Sequence, residues 1–443
     1  MRLRRSVTLV LALLLAGSAL AGERFALPQF KSGYALPTTE VPPARANVLD
    51  YVDVAALVLA LGAASYLAIR VRSRRGLWWL MLASLAYFGF WRGGCVCPIG
   101  AVQNVSQAVF DSTYAIPAAV AAFFLLPLVF TLFFGRTFCA AVCPLGALQD
   151  FVAVRPVAVP VWMEHALGLL AYVYLGAAVL FAATGSAYII CEYDPFVSFF
   201  RLMPLSRPSA GMAALSGSTN MLLVGAGFLV TGLFLARPYC RWFCPYGALL
   251  RLVSRASKWH VAITPDECIQ CRLCEGSCPF GAIRKPTRDE RRGPRLIERR
   301  RLVLLLVAVP LILGVAGWMG SALAEPFSRM NHTVRQADRV RLEESGQVQG
   351  TVDLSEAFYA TRRPNEELHA EAAAVHRSFV RGGWLFGGWV GLVVGIKLIH
   401  LSVRRTRTDF EPDRGTCVAC GRCYSYCPME RKRWKAPPGE KKP

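Results

Sequence analysis

The sequence predicts an all-α transmembrane helical bundle of about seven spans, together with a small α+β cytoplasmic domain assembled from two separated segments. Three observations predict this architecture: an apolar composition, long apolar runs separated by basic loops, and one cysteine spacing that occurs twice. Of the 443 residues, 54% are hydrophobic and only 18% are charged, and the mean hydropathy is +0.38. A soluble domain needs a larger charged surface, so this balance favours several membrane spans.

The apolar runs predict the number and direction of the spans. Seven of them are long enough for a hydrocarbon core about 30 Å thick, and they cover 52–70, 77–92, 115–134, 162–184, 220–236, 302–323 and 384–402. Basic residues lie in alternate loops, as in 70–75 and 299–301, while 93–114 contains no Lys or Arg. The positive-inside rule then places the C-terminus in the cytoplasm and the bundle in a bacterial inner membrane. The same rule accounts for the formal charge of +21, so we expect no nucleic acid as a partner.

The span ends divide the chain into segments. Residues 1–21 are predicted to be a signal peptide, because Arg2, Arg4 and Arg5 precede an apolar run and ALA (19–21) offers a cleavage site. An uncleaved anchor is the alternative. The other predicted segments are a periplasmic N-terminal segment (22–49), a five-span membrane domain (50–259), a cytoplasmic half-domain (260–300), the sixth span (301–323), a periplasmic loop (324–383), the seventh span (384–402) and a second cytoplasmic half-domain with a basic tail (403–443).

Eight of the fifteen cysteines occur in two copies of one spacing, Cys-x2-Cys-x2-Cys-x3-Cys-Pro. The copies are Cys268, Cys271, Cys274 and Cys278, followed by Pro279, and Cys417, Cys420, Cys423 and Cys427, followed by Pro428. Four thiolates at these intervals are typical of a [4Fe–4S] cluster, whereas Cys₄ zinc sites use two separated pairs. The spacing therefore predicts a two-cluster ferredoxin-like domain that holds two [4Fe–4S] clusters.

In two-cluster ferredoxins the fourth cysteine of each run binds the other cluster. One cluster would then use Cys268, Cys271, Cys274 and Cys427, and the other would use Cys417, Cys420, Cys423 and Cys278. The predicted topology allows this exchange, because it returns both halves to the cytoplasmic side. The first half continues as PFGAI (279–283) but the second as PMERK (428–432), so we expect the second half to end irregularly.

A second group of cysteines lies where two predicted spans end inside. The units CAAVCPLGAL (139–148) and CRWFCPYGAL (240–249) are near copies, and CVCPIGAV (95–102) is a shortened third. A pseudo-twofold pair would bring together Cys139, Cys143, Cys240 and Cys244 at the cytoplasmic membrane surface. Four thiolates there suit a further Fe–S cluster or another thiophilic metal. The alternative is packing, since a free cysteine is a good small apolar side chain.

The remaining cysteines, Cys95, Cys97 and Cys191, fall at the outer membrane surface in the same topology. Cys191 begins the segment CEYDPF, so Glu192 or Asp194 could complete a redox metal site with these thiols. A disulfide that joins Cys191 to Cys95 or Cys97 is the alternative on the oxidising side of the membrane. Both interpretations are open at this point.

The membrane Cys-x3-Cys-Pro repeats and the split ferredoxin resemble the membrane portion of the NosR family, accessory to nitrous-oxide respiration. They are also similar to NapH-type quinol dehydrogenase subunits of nitrate respiration. The resemblance covers about residues 50–430, and LPQFKSGY (27–34) also looks like NosR-like proteins. It implies electron transfer between the cytoplasmic or quinone side and a periplasmic acceptor. NosR proper has a periplasmic flavin domain before its first span, for which 22–49 is too short. We therefore expect no flavin domain in this chain and a separate periplasmic flavoprotein or reductase as partner.

These features predict an electron carrier or oxidoreductase subunit of anaerobic respiration, with no catalytic residues of its own. The alternative is an assembly factor or metal reductase similar to the CcoG-type polyferredoxins. Quinol is another candidate electron source, because Glu164 and His165 lie at the inner mouth of a predicted span and could accept its protons. His332, His369 and His376 lie in the predicted outer loop. His369 and His376 are seven residues apart, so they could share a helix face and bind metal, although a solvated helix is the simpler interpretation.

Overall fold

A computed structural model describes residues 47–94, 97–154, 156–202, 219–263, 268–287, 295–403 and 407–430. The predicted signal peptide, most of the predicted N-terminal periplasmic segment, Cys95 and the basic tail lie outside the described residues. Most of the described chain is helical, which confirms the predominantly helical fold that the sequence predicts.

The helices follow one another from the first apolar run to the second cysteine run. Their bounds are Asn47–Tyr66, Arg74–Ser84, Pro98–Phe110, Ala118–Phe134, Thr137–Ala141, Pro144–Val152, Val161–Leu167, Leu170–Ala183, Ile189–Glu192, Val197–Leu202, Thr219–Gly232, Pro238–Trp242, Pro245–Ser254, Leu273–Ser277, Arg295–Ala322, Ala324–Ser328, His332–Glu344, Asp353–Ala360, Asn365–Ser402 and Arg422–Tyr426. Two π-helical segments, Leu67–Val71 and Leu85–Trp91, continue the first two helices. Two short strands are Ile283–Arg284 and Glu411–Pro412.

Four helices of the described chain are long and apolar enough to cross a membrane: Val48–Val71, Val161–Ala183, Arg299–Ala322 and Asn365–Ser402. They coincide with four of the seven predicted spans. Ala118–Phe134 and Met221–Gly232 are apolar but shorter. At 1.5 Å per residue the former is about 26 Å long, slightly less than a hydrocarbon core. The predicted 77–92 span is Arg74–Ser84 continued by a π-helix. Length and composition therefore indicate a membrane protein, and the count of seven spans stays a prediction.

The last spanning helix reaches far into the segment predicted as a periplasmic loop. Asn365–Ser402 has 38 residues, and its first half packs on His332–Glu344, which in turn packs on Asp353–Ala360. A small apolar core holds them together, formed by Val334, Ala337, Val340, Phe358, Leu368 and Ala372. The segment is thus a compact helical layer attached to the end of the spanning helix.

Arg295–Ala322 and Asn365–Ser402 form a long hairpin whose helices touch through small residues. On the second helix these residues recur every fourth position, at Gly383, Gly387, Gly391 and Gly395. A Cβ on Gly387 would overlap the Ala316 carbonyl oxygen, and a Cβ on Gly391 would lie 3.0 Å from the Ala316 Cβ. Small residues allow such close backbone approach, which is a main source of helix association in lipid.

The hairpin returns the chain to the end from which it left. The first cysteine run precedes the hairpin and the second follows it, and the strands beside them, Ile283–Arg284 and Glu411–Pro412, pair antiparallel. The register sets Ile283 opposite Pro412. The two separated segments therefore meet in one small domain.

Candidate iron–sulfur centres

Each Cys-Pro unit of the membrane helices folds in the same way. Cys97, Cys143 and Cys244 each occupy the N-cap of a helix whose first residue is proline, where the fixed φ of proline suits the first turn. The Gly247 N–H donates to the Cys244 Sγ over 3.2 Å. A helix N-terminus favours the thiolate, the form of cysteine that binds metal. The Cys-Pro-x-Gly order therefore directs backbone N–H groups at the sulfur, although burial raises the pKa of Cys143 and Cys244 well above the usual range.

The two full Cys-Pro units share one cavity of ≈ 320 Å³. Its wall contains Cys139, Cys143, Cys240 and Cys244, which we call the membrane quartet, together with apolar side chains, Arg136 and Arg237. Burial raises the pKa of Cys240 to about 11, although Arg237 acts to lower it. The neighbouring thiol of Cys139 raises it further, so four thiolates in this cavity need cations beside them.

Gln149 and Arg136 contact two of these thiols. Gln149 is fully buried; its Nε2 donates to the Cys240 Sγ over 3.2 Å, and its Oε1 accepts the Tyr239 N–H over 3.1 Å. The Nη2 of Arg136 lies 3.6 Å from the Cys139 Sγ. Sequence reasoning missed Gln149, and its only signal is a polar side chain inside the otherwise apolar unit that follows Cys143.

The chemistry of this cavity fits an anionic iron–sulfur cluster. Arg136 is 3% exposed and Arg237 1% exposed, and within the described part of the chain the Nε of each has no hydrogen-bond partner. A buried donor without an acceptor is costly, and four thiolates with bridging sulfides would supply acceptors and negative charge. Among the described residues, no three His, Cys, Asp or Glu side chains converge as one metal ion requires. In a cubane each thiolate binds a different iron, so the sulfurs need not converge on one point.

In the small domain the two cysteine runs interleave. Their short helices, Leu273–Ser277 and Arg422–Tyr426, pack on each other. The thiol neighbours of Cys274 are Cys268, Cys271 and Cys427, a set that we call the solvent-facing quartet. The thiol neighbours of Cys423 are Cys417, Cys420 and Cys278, which form with it the protein-facing quartet. The last cysteine of each run therefore lies beside the first three of the other run.

The two quartets differ in burial. Cys271 is exposed, and the apolar side chains of Ile269 and Leu273 on either side of it are more than half exposed. Burial raises the pKa of Cys274 to about 11 and that of Cys417 to about 12. The first quartet thus reaches solvent at Cys271, whereas every thiol of the second is half-buried or buried.

The protein-facing quartet and the membrane quartet pack against one apolar cluster. The buried residues of this cluster are Ala236, Phe280, Ala282 and Val418, and Cys139, Cys278, Cys417 and Cys420 pack against it. Two hydrogen bonds fasten the contact: Arg136 Nη1 donates to the Gly415 carbonyl over 3.3 Å, and Arg241 Nη1 donates to the Pro279 carbonyl over 3.2 Å. The three quartets therefore follow one another as solvent-facing, protein-facing and membrane quartet.

An ion pair anchors the second half of the small domain to the membrane helices. Arg72 Nε lies 2.5 Å from the Glu430 Oε1, and the two side chains are 11% and 3% exposed. The same guanidinium donates to the Ala262 carbonyl over 3.0 Å and lies 4.7 Å from the ring centre of Tyr424. The segment that was expected to end irregularly therefore ends in a defined contact. Sequence reasoning missed this pair, because its members are 358 positions apart.

Replacing Glu430 by alanine is expected to loosen the small domain from the membrane helices. The change leaves Arg72 buried without its partner, and breaking a buried ion pair typically costs about 3–5 kcal/mol. Amide hydrogen exchange in residues 407–430 should rise strongly. The control is Glu411→Gln in the exposed pair with Arg407, 3.9 Å apart, where a loss below about 1 kcal/mol is expected. Equal protection in both variants would contradict an anchoring role.

At the start of the third Cys-Pro helix, Cys97 lies close to Cys191. Burial raises the pKa of Cys97 to about 12, and Asp194 and Cys191 add to this shift. Gln103 Oε1 accepts the Cys191 N–H over 3.2 Å, and a Cβ on Gly100 would lie 3.1 Å from the Cys191 Sγ. Cys95 lies outside the described residues.

Two side chains proposed to complete this outer site have different roles in the structure. The Asp194 Oδ1 accepts the N–H groups of Phe196 and Val197 over 2.9 and 3.2 Å, so that this carboxylate also shapes its own turn. Glu192 is exposed. No disulfide joins two of the described cysteines. The structure therefore brings together Cys97, Cys191 and Asp194 from the predicted outer set.

The remaining candidate residues have defined partners. Glu164 Oε2 lies 2.8 Å from Arg241 Nε and accepts the Trp242 Nε1–H over 2.9 Å. His369 Nε2 lies 3.1 Å from Glu344 Oε2, and His376 Nδ1 lies 3.2 Å from Ser328 Oγ. The two histidines thus contact different side chains and do not form one metal site.

Two family models match the chain, and both are described as a 4Fe-4S binding domain. The first covers 116–169 and 218–263, and these segments contain the whole membrane quartet. The second covers 261–284, the first cysteine run. The chain is therefore a protein with 4Fe–4S ferredoxin-type domains.

Curated relatives agree with this class. The chain is 32% identical to the protein NirI of Paracoccus denitrificans over 34% of its length and 22% of NirI. It is 27% identical to the putative electron transport protein YccM of Escherichia coli over 41% of its length and 52% of YccM. It is 28% identical to the regulatory protein NosR of Pseudomonas aeruginosa over 36% of its length and 22% of NosR. The matched segments thus cover about half of YccM and about a fifth of NirI and of this NosR. They support the resemblance to NosR-like membrane polyferredoxins. No solved structure gives a significant match.

Proposed function

We propose that the protein carries electrons, one at a time, between the cytoplasmic side of a bacterial inner membrane and a periplasmic redox partner. The observation that carries this proposal is the apolar cluster that the two quartets share: Cys139 of the membrane quartet packs against the same buried residues as three thiols of the protein-facing quartet. Twelve cysteines are thereby arranged as one row of centres, from solvent to the membrane helices. The similarity to YccM, described as a putative electron transport protein, supports this function.

In this proposal the solvent-facing and protein-facing quartets hold one [4Fe–4S] cluster each, and the membrane quartet holds a third cluster. Such clusters, when bound, accept and release single electrons without any bond being made or broken. The protein supplies the thiolates and the groups around them. Gln149 and Arg136 direct N–H groups at sulfur, and such hydrogen bonds tune a cluster's potential. Phe280 and Val418 keep water out of the contact between two quartets.

The outer pair, Cys97 and Cys191, continues the row toward the periplasm. Cys97 is among the charged neighbours of Cys244 in the membrane quartet. Tyr239 has both Asp194 and Cys244 as neighbours, so it lies between the outer site and the membrane quartet. A bilayer core is about 30 Å thick, and intermediate sites shorten each electron step.

The electron source that the structure favours is a soluble cytoplasmic carrier. Its one-electron oxidation would reduce the solvent-facing quartet's centre, which is reached past the exposed residues Ile269 and Leu273. Quinol is disfavoured as the source, because Glu164, the predicted proton acceptor, is already paired with Arg241 at 2.8 Å. A periplasmic flavoprotein or reductase would be reduced by one electron at the outer end. No flavin is assigned to this chain.

Iron and acid-labile sulfide measurements on the anaerobically purified, detergent-solubilised protein test the proposal. We expect about twelve irons per chain, four for each cluster. The double variant Cys143→Ser/Cys244→Ser should contain about eight and lose one EPR signal. The control Cys191→Ser should retain about twelve. Eight irons in the unchanged protein would remove the membrane centre, and a protein without labile sulfide would overturn the electron-transfer proposal altogether.

A further inference from the structure

A second cavity, of ≈ 310 Å³, lies between the membrane quartet and the small domain. Its wall contains four arginines, Arg136, Arg237, Arg241 and Arg251, and a single carboxylate, Glu164. Cys240 of the membrane quartet and Thr416 beside Cys417 also line it. The junction between the two centres is therefore rich in positive charge.

Among the described residues, two of these four arginines pair with a carboxylate, whereas Arg136 and Arg251 do not. Arg241 pairs with Glu164 at 2.8 Å, and Arg237 pairs with Asp150 at 2.7 Å. Burial raises the pKa of Asp150, yet Arg237 lowers it enough to hold it below its ordinary value, so this pair is ionised. In the part of the chain that the structure describes, Arg136 forms no ion pair and is 3% exposed. An unpaired buried cation costs several kcal/mol unless another negative charge lies close to it.

The negative charges next to Arg136 belong to both quartets. Its guanidinium lies 3.6 Å from the Cys139 Sγ and 3.3 Å from the carbonyl oxygen of Gly415, two residues before Cys417. Arg136 is a charged neighbour of Cys240 in the membrane quartet and of Cys417 in the protein-facing quartet. Arg237 likewise has Cys240 and Cys420 as neighbours, but Asp150 neutralises it.

We infer that Arg136 is a shared counter-ion that raises the reduction potentials of the membrane and protein-facing centres together. The inference rests on the proposed function, because it requires a cluster in each quartet. Adding an electron makes a cluster more negative, so a nearby buried cation favours the reduced form. Since one guanidinium faces both quartets, its effect reaches both centres. Arg136 acts as a positioning residue that keeps their potentials high and close, while the solvent-facing centre, which it does not contact, is unaffected.

The test is an EPR-monitored redox titration of the full-length protein in detergent, with signals assigned by the cysteine variants above. In Arg136→Gln the reduced-to-oxidised ratio of both centres at a fixed potential should fall about tenfold, which corresponds to about 59 mV. Arg136→Lys, which keeps the charge, should restore most of this loss. The solvent-facing signal serves as an internal reference and should not move.

A second variant raises the positive charge of the same junction, since Asp150→Asn removes the partner of Arg237 and both potentials should rise. If Arg136→Gln loses its clusters, Arg136→Lys decides the question, because both potentials should stay near their original values while the charge is kept, and a tenfold fall despite the retained charge would overturn the inference. Unchanged potentials, or a shift confined to one centre, in a protein with full iron content would overturn the inference. A starting protein without clusters would instead overturn the proposed function, so the two failures are distinguishable.

Discussion

Replacing Cys268 and Cys427 together by serine is expected to remove one iron–sulfur cluster, although the two cysteines belong to different runs. In the structure Cys427 lies beside Cys274 and Cys268, whereas Cys278 lies beside Cys423. Both substitutions in Cys268→Ser/Cys427→Ser therefore fall in the solvent-facing quartet. We expect a loss of about four irons per chain, with the protein-facing cluster retained.

The matched control keeps Cys268→Ser and has Cys278→Ser in place of Cys427→Ser. Cys268→Ser/Cys278→Ser changes two cysteines of the same run but of different quartets, so about eight irons should be lost. If each run bound its own cluster, the two results would be reversed. Iron and sulfide content with EPR of the reduced protein distinguishes the arrangements, and the membrane centre should persist in both variants.

Leucine in place of Gly387 is expected to destabilise the long hairpin strongly. Even the first atom of the new side chain would overlap the Ala316 carbonyl oxygen and lie 2.9 Å from the Gly317 Cα. Since backbone cannot move aside as a flexible side chain can, we expect a loss of about 3 kcal/mol, at the upper end of overpacking effects. Thermal unfolding in detergent, followed by circular dichroism, measures the change.

The adjacent glycine provides the control for this substitution. A Cβ on Gly388 would meet no atom within 4 Å, and both glycines lie in the same helix. Gly388→Leu should therefore be neutral, or stabilising by up to about 1 kcal/mol, because leucine has the higher helix propensity. Equal effects at the two positions would show that the hairpin does not pack through Gly387.

Much of this architecture follows from local patterns in the sequence. Apolar runs identify the four long spanning helices, because in lipid every backbone polar group must be satisfied within the helix. The duplicated cysteine spacing identifies the ferredoxin-type runs, because cluster ligation needs several thiolates at short intervals. The extent of Asn365–Ser402 was not predicted, since its first half is charged and is stabilised by neighbouring helices outside the apolar run.

The contacts that connect the centres follow from no local pattern. Arg72 and Glu430 are 358 positions apart and meet only after the whole chain has folded. In the sequence, nothing distinguishes them from other arginines in a loop and other glutamates near the tail. Arg136 reads in the sequence as one more basic residue at the end of a span. Its importance depends on which acids lie near it and how deeply it is buried, and both are properties of the tertiary structure.

The interleaving of the two cysteine runs has a consequence for biogenesis. The solvent-facing quartet takes three thiols from one side of the hairpin in sequence and Cys427 from the other, so a nascent chain cannot complete it before the hairpin has been translated. With clusters bound as proposed, their delivery to the small domain would follow synthesis of the second run, and a protein halted at the hairpin would complete neither quartet. The order of the ligands along the chain thus couples maturation of the proposed centres to synthesis of the hairpin.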